Sequence, residues 1–190
     1  MANFEQSVEI TLRHEGGYVV DSGGPTMRGI TQTVWDRFKA LTGRYSGISV
    51  QQISIDMAKD VYRTLFWPYV SGIQNQAAAN VFFDSVVNMG PNQAAKIAQR
   101  VLNSMGESLR VDGSAGALTW AAINRNPLEF VNRFSNARKE FYITLARSNP
   151  SKYGQYLKGW IKRANQFLVS GGIFGLIAGA GMLFYLFKRG

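Results

Sequence analysis

The sequence predicts a mainly α fold followed by one C-terminal transmembrane helix, and three observations predict it. Apolar residues recur at helical spacing from the N-terminus to about residue 166. No apolar-polar alternation runs far enough to make a convincing strand. Residues 167–187, "FLVSGGIFGLIAGAGMLFYLF", carry no charge over 21 positions, a length of about 31 Å as a helix, enough for a bilayer core.

Each helix has its own punctuation. In the first, Phe4, Val8 and Leu12 repeat at i+4 and Glu15 falls on nearly the same face, so the carboxylate ends an apolar stripe that Gly16 can close in the left-handed conformation. Thr31 can cap a second helix holding Val34, Trp35, Phe38 and Leu41, which Gly43 ends. "SIDMAKDVYRTLFW" runs to Pro68, "AAANVFFDSVVNMG" ends at Gly90, and Pro91 opens "PNQAAKIAQRVLNSMG". A Gly-punctuated loop and short helix follow in "LRVDGSAGALTWAAINRNP". Pro127 opens a long helix with Phe130, Phe134, Phe141 and Leu145, and the helix after Pro150 carries "KGWIKRAN".

Composition limits the chemistry. The chain has 190 residues, 21 Lys and Arg against 12 Asp and Glu, and a formal charge of +9, so its partners are anionic: nucleic acid, acidic lipid or cell-wall polymer. With no cysteine and the single histidine His14, disulfides, thiolate nucleophiles and zinc sites built on Cys or several His are excluded, and no metal or other cofactor is expected. The N-terminus "MANFEQSVEITLRHE" has no apolar core of a cleavable secretory signal.

The segment "HEGGYVVDSGGPTMRGIT", residues 14–31, packs Glu15, Asp21, Thr26 and five glycines into a stretch able to fold back on itself. A carboxyl on the apolar side of a helix end loses hydration, which suits a general acid. Glycosidic bonds are cut with such an acid and, usually, a second ionised carboxylate in a wetter place. Asp21 on its Gly-rich loop has the surroundings for the second role, and the Thr26 hydroxyl could orient a water. A solvated helix end followed by an ordinary turn is the plainer alternative.

This segment resembles the signature of glycoside hydrolase family 108, phage-type N-acetylmuramidases of lysozyme-like helical fold in which the Glu after His is the catalytic acid. "DMAKDVYRTLFWPYV" and "FFDSVVNMGPNQAAKIAQRVLN" are similar to two further helices of that family, and "VDGSAGALTWAAIN" with "KGWIKRAN" to the peptidoglycan-binding module that commonly follows. The resemblance implies a glycosidase with Glu15 as proton donor, Asp21 and Thr26 as its catalytic partners, and Thr31 lining the cleft. The loop between Asp21 and the Gly23–Gly24 pair is shorter than in the family, which leaves the placement of Asp21 open.

Further substrate contacts are expected at His14, Tyr18, Asp84 and Asn88; the last two share a helix face at i+4, where a buried, internally bonded Asp is the competing reading. Arg110, Asp112 and Gly113 are either part of a wall-binding surface or a turn. The implied organisation is a lysozyme-like catalytic region over 1–90, a helical peptidoglycan-binding region over 91–166 packed on it, and a transmembrane helix over 167–187. The implied reaction is cleavage of the β-1,4 bond between N-acetylmuramic acid and N-acetylglucosamine, serving a phage as it enters or lyses its host. Peptidoglycan is the expected partner and nucleic acid is not. A lytic transglycosylase, and a non-catalytic wall-binding or pore-forming protein, are the rivals.

The charge-free run predicts a single-pass protein of the host inner membrane or a virion membrane, with the catalytic region N-terminal to the span. Lys158, Lys162 and Arg163 before the run outnumber Lys188 and Arg189 after it, which weakly favours a cytoplasmic N-terminal region. Gly171, Gly175 and Gly179 fall at i, i+4 and i+8, a ridge suited to homo-oligomerisation within a membrane.

Overall fold

In the computed structural model, which describes residues 1–21 and 24–168, local signals set most helix ends. Helix α1 (Phe4–Leu12) starts at Asn3, whose side chain accepts from the Gln6 N–H. Helix α2 (Gln32–Thr42) starts at Thr31, whose hydroxyl accepts from the Val34 N–H, and stops at Gly43 in the left-handed conformation with φ 68°. Ser54 caps α3 (Ile55–Leu65) and Asn75 caps α4 (Gln76–Met89) in the same way. Pro91, Pro127 and Pro150 open α5 (Pro91–Ser104), α7 (Pro127–Ser148) and α8 (Pro150–Asn165), where the missing N–H costs nothing. Between them lies α6 (Ala117–Arg125).

Helix α4 is the centre of the molecule. Residues 78, 79 and 81–86 are all buried, the all-round burial that a helix acquires only when others cover it. Phe83 meets the rings of Phe4, Tyr62 and Trp67 edge-on, so it faces α1 and α3, while Phe82 meets Phe134 of α7 at 5.8 Å. One hydrophobic cluster therefore extends from Phe4 to Ala137 across both halves of the chain. A second seam joins α6 to the loop after α3. Trp120 donates its indole N–H to the Tyr69 carbonyl and Asn124 its amide to the Gly72 carbonyl.

The fold-back segment forms an antiparallel sheet of three short strands, β1 (Val19–Asp21), β2 (Gly24–Met27) and β3 (Ile30–Thr31), with β2 in the middle. Val19 pairs with Thr26, Thr26 with Thr31 and Met27 with Ile30. The absence of strands expected from the sequence is thus corrected: strands of two to four residues are too short to display a period-two pattern. Helix α1 also ends earlier than its apolar stripe suggests. Its C-cap is Arg13, in the right-handed conformation, and Gly16 is not among the glycines with positive φ.

The described architecture is mainly α, in keeping with a lysozyme-like fold, but among the described residues no helix is long and apolar enough to cross a membrane. The transmembrane helix expected at 167–187, and with it the single-pass membrane localisation and the attachment to a membrane through that helix, is not found among the described residues. A charge-free run fixes only how long a span would be if one formed. The charge asymmetry fails as well, because Arg163, counted as a basic flank, is buried in the protein. Among the described residues the last helix closes at Asn165, and Phe167 packs against the core. Residues 169–190 lie outside the described residues, and so do Gly171, Gly175 and Gly179 of the expected oligomerisation ridge.

A Cβ built on Gly72 would come within 2.1 Å of the Trp120 ring. Gly72→Ala is therefore expected to destabilise the whole chain by about 1–3 kcal/mol, the usual cost of overpacking. Chemical denaturation checks this, with a single shifted transition expected.

Candidate active site

Glu15 follows α1 on a turn in which the His14 N–H donates to the Thr11 carbonyl and the Glu15 N–H to that of Leu12. Because the helix has already ended, the phase of the apolar stripe does not carry over to the Glu15 side chain. Its carboxylate meets a guanidinium instead: Arg163 Nη2 donates to Glu15 Oε1 at 2.9 Å, and the Glu15 side chain keeps 16% of its exposure. It lines a cavity of about 410 Å³ together with Glu9, Leu12, Arg13, Arg28, Ile55 and Lys59.

The same guanidinium is anchored from the interior. Arg163 Nε donates to both oxygens of Asp84 at 2.9 and 3.0 Å, and Nη2 to Asp84 Oδ1 at 2.7 Å. Arg138 on α7 donates to the remaining face, Nη2 to Oδ2, at 2.6 Å. Arg138 Nε also donates to the Tyr142 hydroxyl, which donates to Asn88 Oδ1. Burial by itself would raise the Asp84 carboxyl, but the two guanidiniums outweigh it and hold the group below its ordinary value. Burial likewise works against the charge of Arg163, and the Asp84 and Glu15 carboxylates overcome that and fix it as a cation.

The small sheet supplies the opposite wall. The β2–β3 turn places Arg28 at φ 52° and Gly29 at φ 74°, the two positive values of a type I′ hairpin turn. Its conformation is pinned by the Tyr62 hydroxyl, which donates to the Arg28 carbonyl at 2.8 Å, and by Arg28 Nε, which donates to the Ile53 carbonyl at 3.2 Å. A Cβ on Gly29 would lie 2.5 Å from Glu15 Oε2 and 2.6 Å from the Tyr62 hydroxyl oxygen. The turn backbone thus abuts the face of the carboxylate that Arg163 does not touch. Burial pushes the Tyr62 phenol well up, with the Glu15 charge adding to it, so it remains a neutral donor.

The structure separates the other residues singled out by sequence. Asp21 is the last residue of β1, its backbone paired with Gly24, and its side chain lies outside the described residues. Thr26 is half-buried at the centre of the sheet, opposite Thr31. The Thr31 hydroxyl is engaged in capping α2. Tyr18 is 40% exposed beside the sheet. His14 is exposed on the other side of Glu15, with Nε2 2.7 Å from Gln166 Oε1, in a separate cavity with Arg13, Asn80 and Phe167. Asp84, expected to touch substrate, has no exposure and is an internal counter-ion; Asn88 ends the same network. The physical reason is that α4 is covered on every side from Val81 to Val86, so Asp84 has no face left toward a cleft. Asp112 accepts from Gln99 and from the Ser114 N–H, and the Gly113 N–H donates to Gln99, so that segment is a clamped turn.

Arg163, Arg138, Tyr62 and Gly29 are the contributors to this site that sequence reasoning missed. The i, i+4 pairing of Arg138 with Tyr142 was a weak local signal. Arg163 offered none, since its partners lie 79 and 148 residues away.

Comparison with known proteins adds three findings. The family model Glycosyl hydrolase 108 matches residues 8–90, and the model Predicted Peptidoglycan domain matches residues 93–165. The solved structure of SagA from Brucella abortus is similar with a TM-score of 0.67 and 26% identity, covering 86% of this chain and 90% of that one. No curated protein matches the sequence. Together these matches support an enzyme of glycosidase type that acts on peptidoglycan.

Two outcomes follow from the geometry. Gly29→Ala should cost about 1–2 kcal/mol for the left-handed backbone alone and should also displace Glu15, so denaturation and wall-clearing assays are both expected to fall. Because the folded-state value of Asp84 is depressed, its stabilisation is complete above the ordinary carboxylate range and is lost as pH falls through the lower folded value. Acid unfolding of the wild type should therefore steepen below about pH 4, and Asp84→Asn should lack that step.

Proposed function

We propose that this chain hydrolyses the β-1,4 bond between N-acetylmuramic acid and N-acetylglucosamine, with Glu15 delivering the proton to the leaving oxygen. The observation that carries this reading is the setting of one carboxylate. Glu15 is held on one oxygen by Arg163, walled on the other by the Gly29 turn, and still lines an open cavity. A general acid needs such fixed orientation together with access to the glycosidic oxygen.

The cavity carries Arg13, Arg28 and Lys59 against Glu9 and Glu15, a positive balance that suits a glycan bearing carboxylates on its lactyl and peptide substituents. Asp21 is assigned the second carboxylate role, activating water or stabilising the developing positive charge on the sugar. Thr26, on the strand that pairs with β1, is assigned the orientation of that water. His14 and Tyr18, on either side of Glu15 in the chain, are the proposed sugar contacts.

Glu15→Gln preserves shape and removes the transferable proton, so purified wall should no longer be cleaved while the unfolding midpoint stays within a few degrees of the wild type. Mass analysis of wild-type products completes the test. Hydrolysis leaves reducing muramic ends, whereas 1,6-anhydro ends would show internal displacement and replace this reaction with a lytic transglycosylase.

A further inference from the structure

The segment matched as a peptidoglycan domain sends one side chain into the catalytic half. We infer that residues 93–165 complete the catalytic centre, with Arg163 as the positioning residue for Glu15, so that this segment acts in the chemical step and not only in holding the wall. The inference rests on Glu15 being the proton donor.

The turn that carries Glu15 does little to fix its side chain. A Cβ at Gly16 or Gly17 would meet nothing within 4 Å, so open space lies beside the backbone that follows Glu15. Orientation of the carboxylate comes from Arg163, and that of Arg163 comes from Asp84, which binds Nε and Nη2 together at 2.7–3.0 Å. Asp84 is fixed in turn by Arg138, and Arg138 by Tyr142. Arg163 lies on α8, and Arg138 and Tyr142 on α7, so both cations of the network belong to the second matched segment. Side-chain exposure rises from 0% at Arg138 and Asp84 to 9% at Arg163 and 16% at Glu15. The network thus leads from a rigid interior to the one group that faces the cavity.

A planar fork is needed for this task. Arg163 spans two carboxylates with one guanidinium, whereas a lysine offers a single point charge that can satisfy Asp84 or reach Glu15 but cannot hold both in register. A segment that only retained the wall would show its loss in KM. Loss of positioning appears in kcat, because misplacement of a reacting group by about 1 Å can cost ~100-fold.

The test is Arg163→Lys in the full chain, with kcat and KM measured on purified peptidoglycan and wall retention measured by co-sedimentation. A folded variant is expected to lose ~100-fold in kcat, with KM and wall retention within about threefold of the wild type. A kcat within about threefold of the wild type, or a fall carried by KM alone, would overturn the inference. Should the lysine variant fail to fold, the wild-type chain puts the same question through the order of the Glu15 side chain. Side-chain 13C relaxation of Glu15 in the wild type is expected to report one fixed rotamer, and free rotamer averaging of Glu15 would overturn the inference. Cleavage by Glu15→Gln would instead remove the underlying reading, while an inactive Glu15→Gln beside an active Arg163→Lys would remove only this one.

Discussion

A buried carboxylate that must never be without a cation organises this molecule. Asp84 sits in the middle of α4, the helix most enclosed by others, where an unpaired charge would cost several kcal/mol. It is tolerable only because α7 and α8 each bring a guanidinium to it. That requirement fixes how the last two helices lie on the first four, since Arg138 and Arg163 must converge on a single side chain. Hydrophobic contacts such as Phe82 against Phe134 hold the same helices together, but they would tolerate sliding that the ion pairs do not.

The catalytic proposal grows out of this constraint. One guanidinium serves an interior carboxylate and a partly exposed one, so the stability of the helical core and the orientation of Glu15 share an atom, Arg163 Nη2. From the other side, the hairpin turn presents backbone where a side chain would collide. Gly29 is required twice over, by its φ of 74° and by the closeness of Glu15 and Tyr62. Arg28 accepts a similar conformation without that freedom, and two hydrogen bonds hold it there.

Helices were legible in the sequence because their signals are local. Thr31, Gly43, Pro91, Pro127 and Pro150 mark ends through bonds made or lost within one turn. The sheet was hidden, since strands this short have no periodicity, although the glycines that permit its turns were visible as a fold-back. Glu15 was legible as the notable carboxylate, but its surroundings were not. The pattern of α1 placed it against apolar side chains, and the structure places it against a cation contributed 148 residues later. Asp84 and Asn88 were seen to share a helix face, while the side of the protein that face addressed depended on helices that only the full packing brings together. The charge-free run near the C-terminus is the reverse case, a strong local pattern whose expected tertiary meaning no described helix carries.

The distance along the chain between Glu15 and Arg163 also bears on the order in which the protein is made. Synthesis delivers Glu15 148 residues before Arg163, and closing a loop of that length costs entropy that the packing of the intervening helices must offset. A chain still emerging from the ribosome holds the carboxylate, the glycine turn and the tyrosine that flanks them, but not the cation that aims them. In an enzyme of glycosidase type that acts on peptidoglycan, the carboxylate proposed as its acid is thus aimed only after α8 has been made.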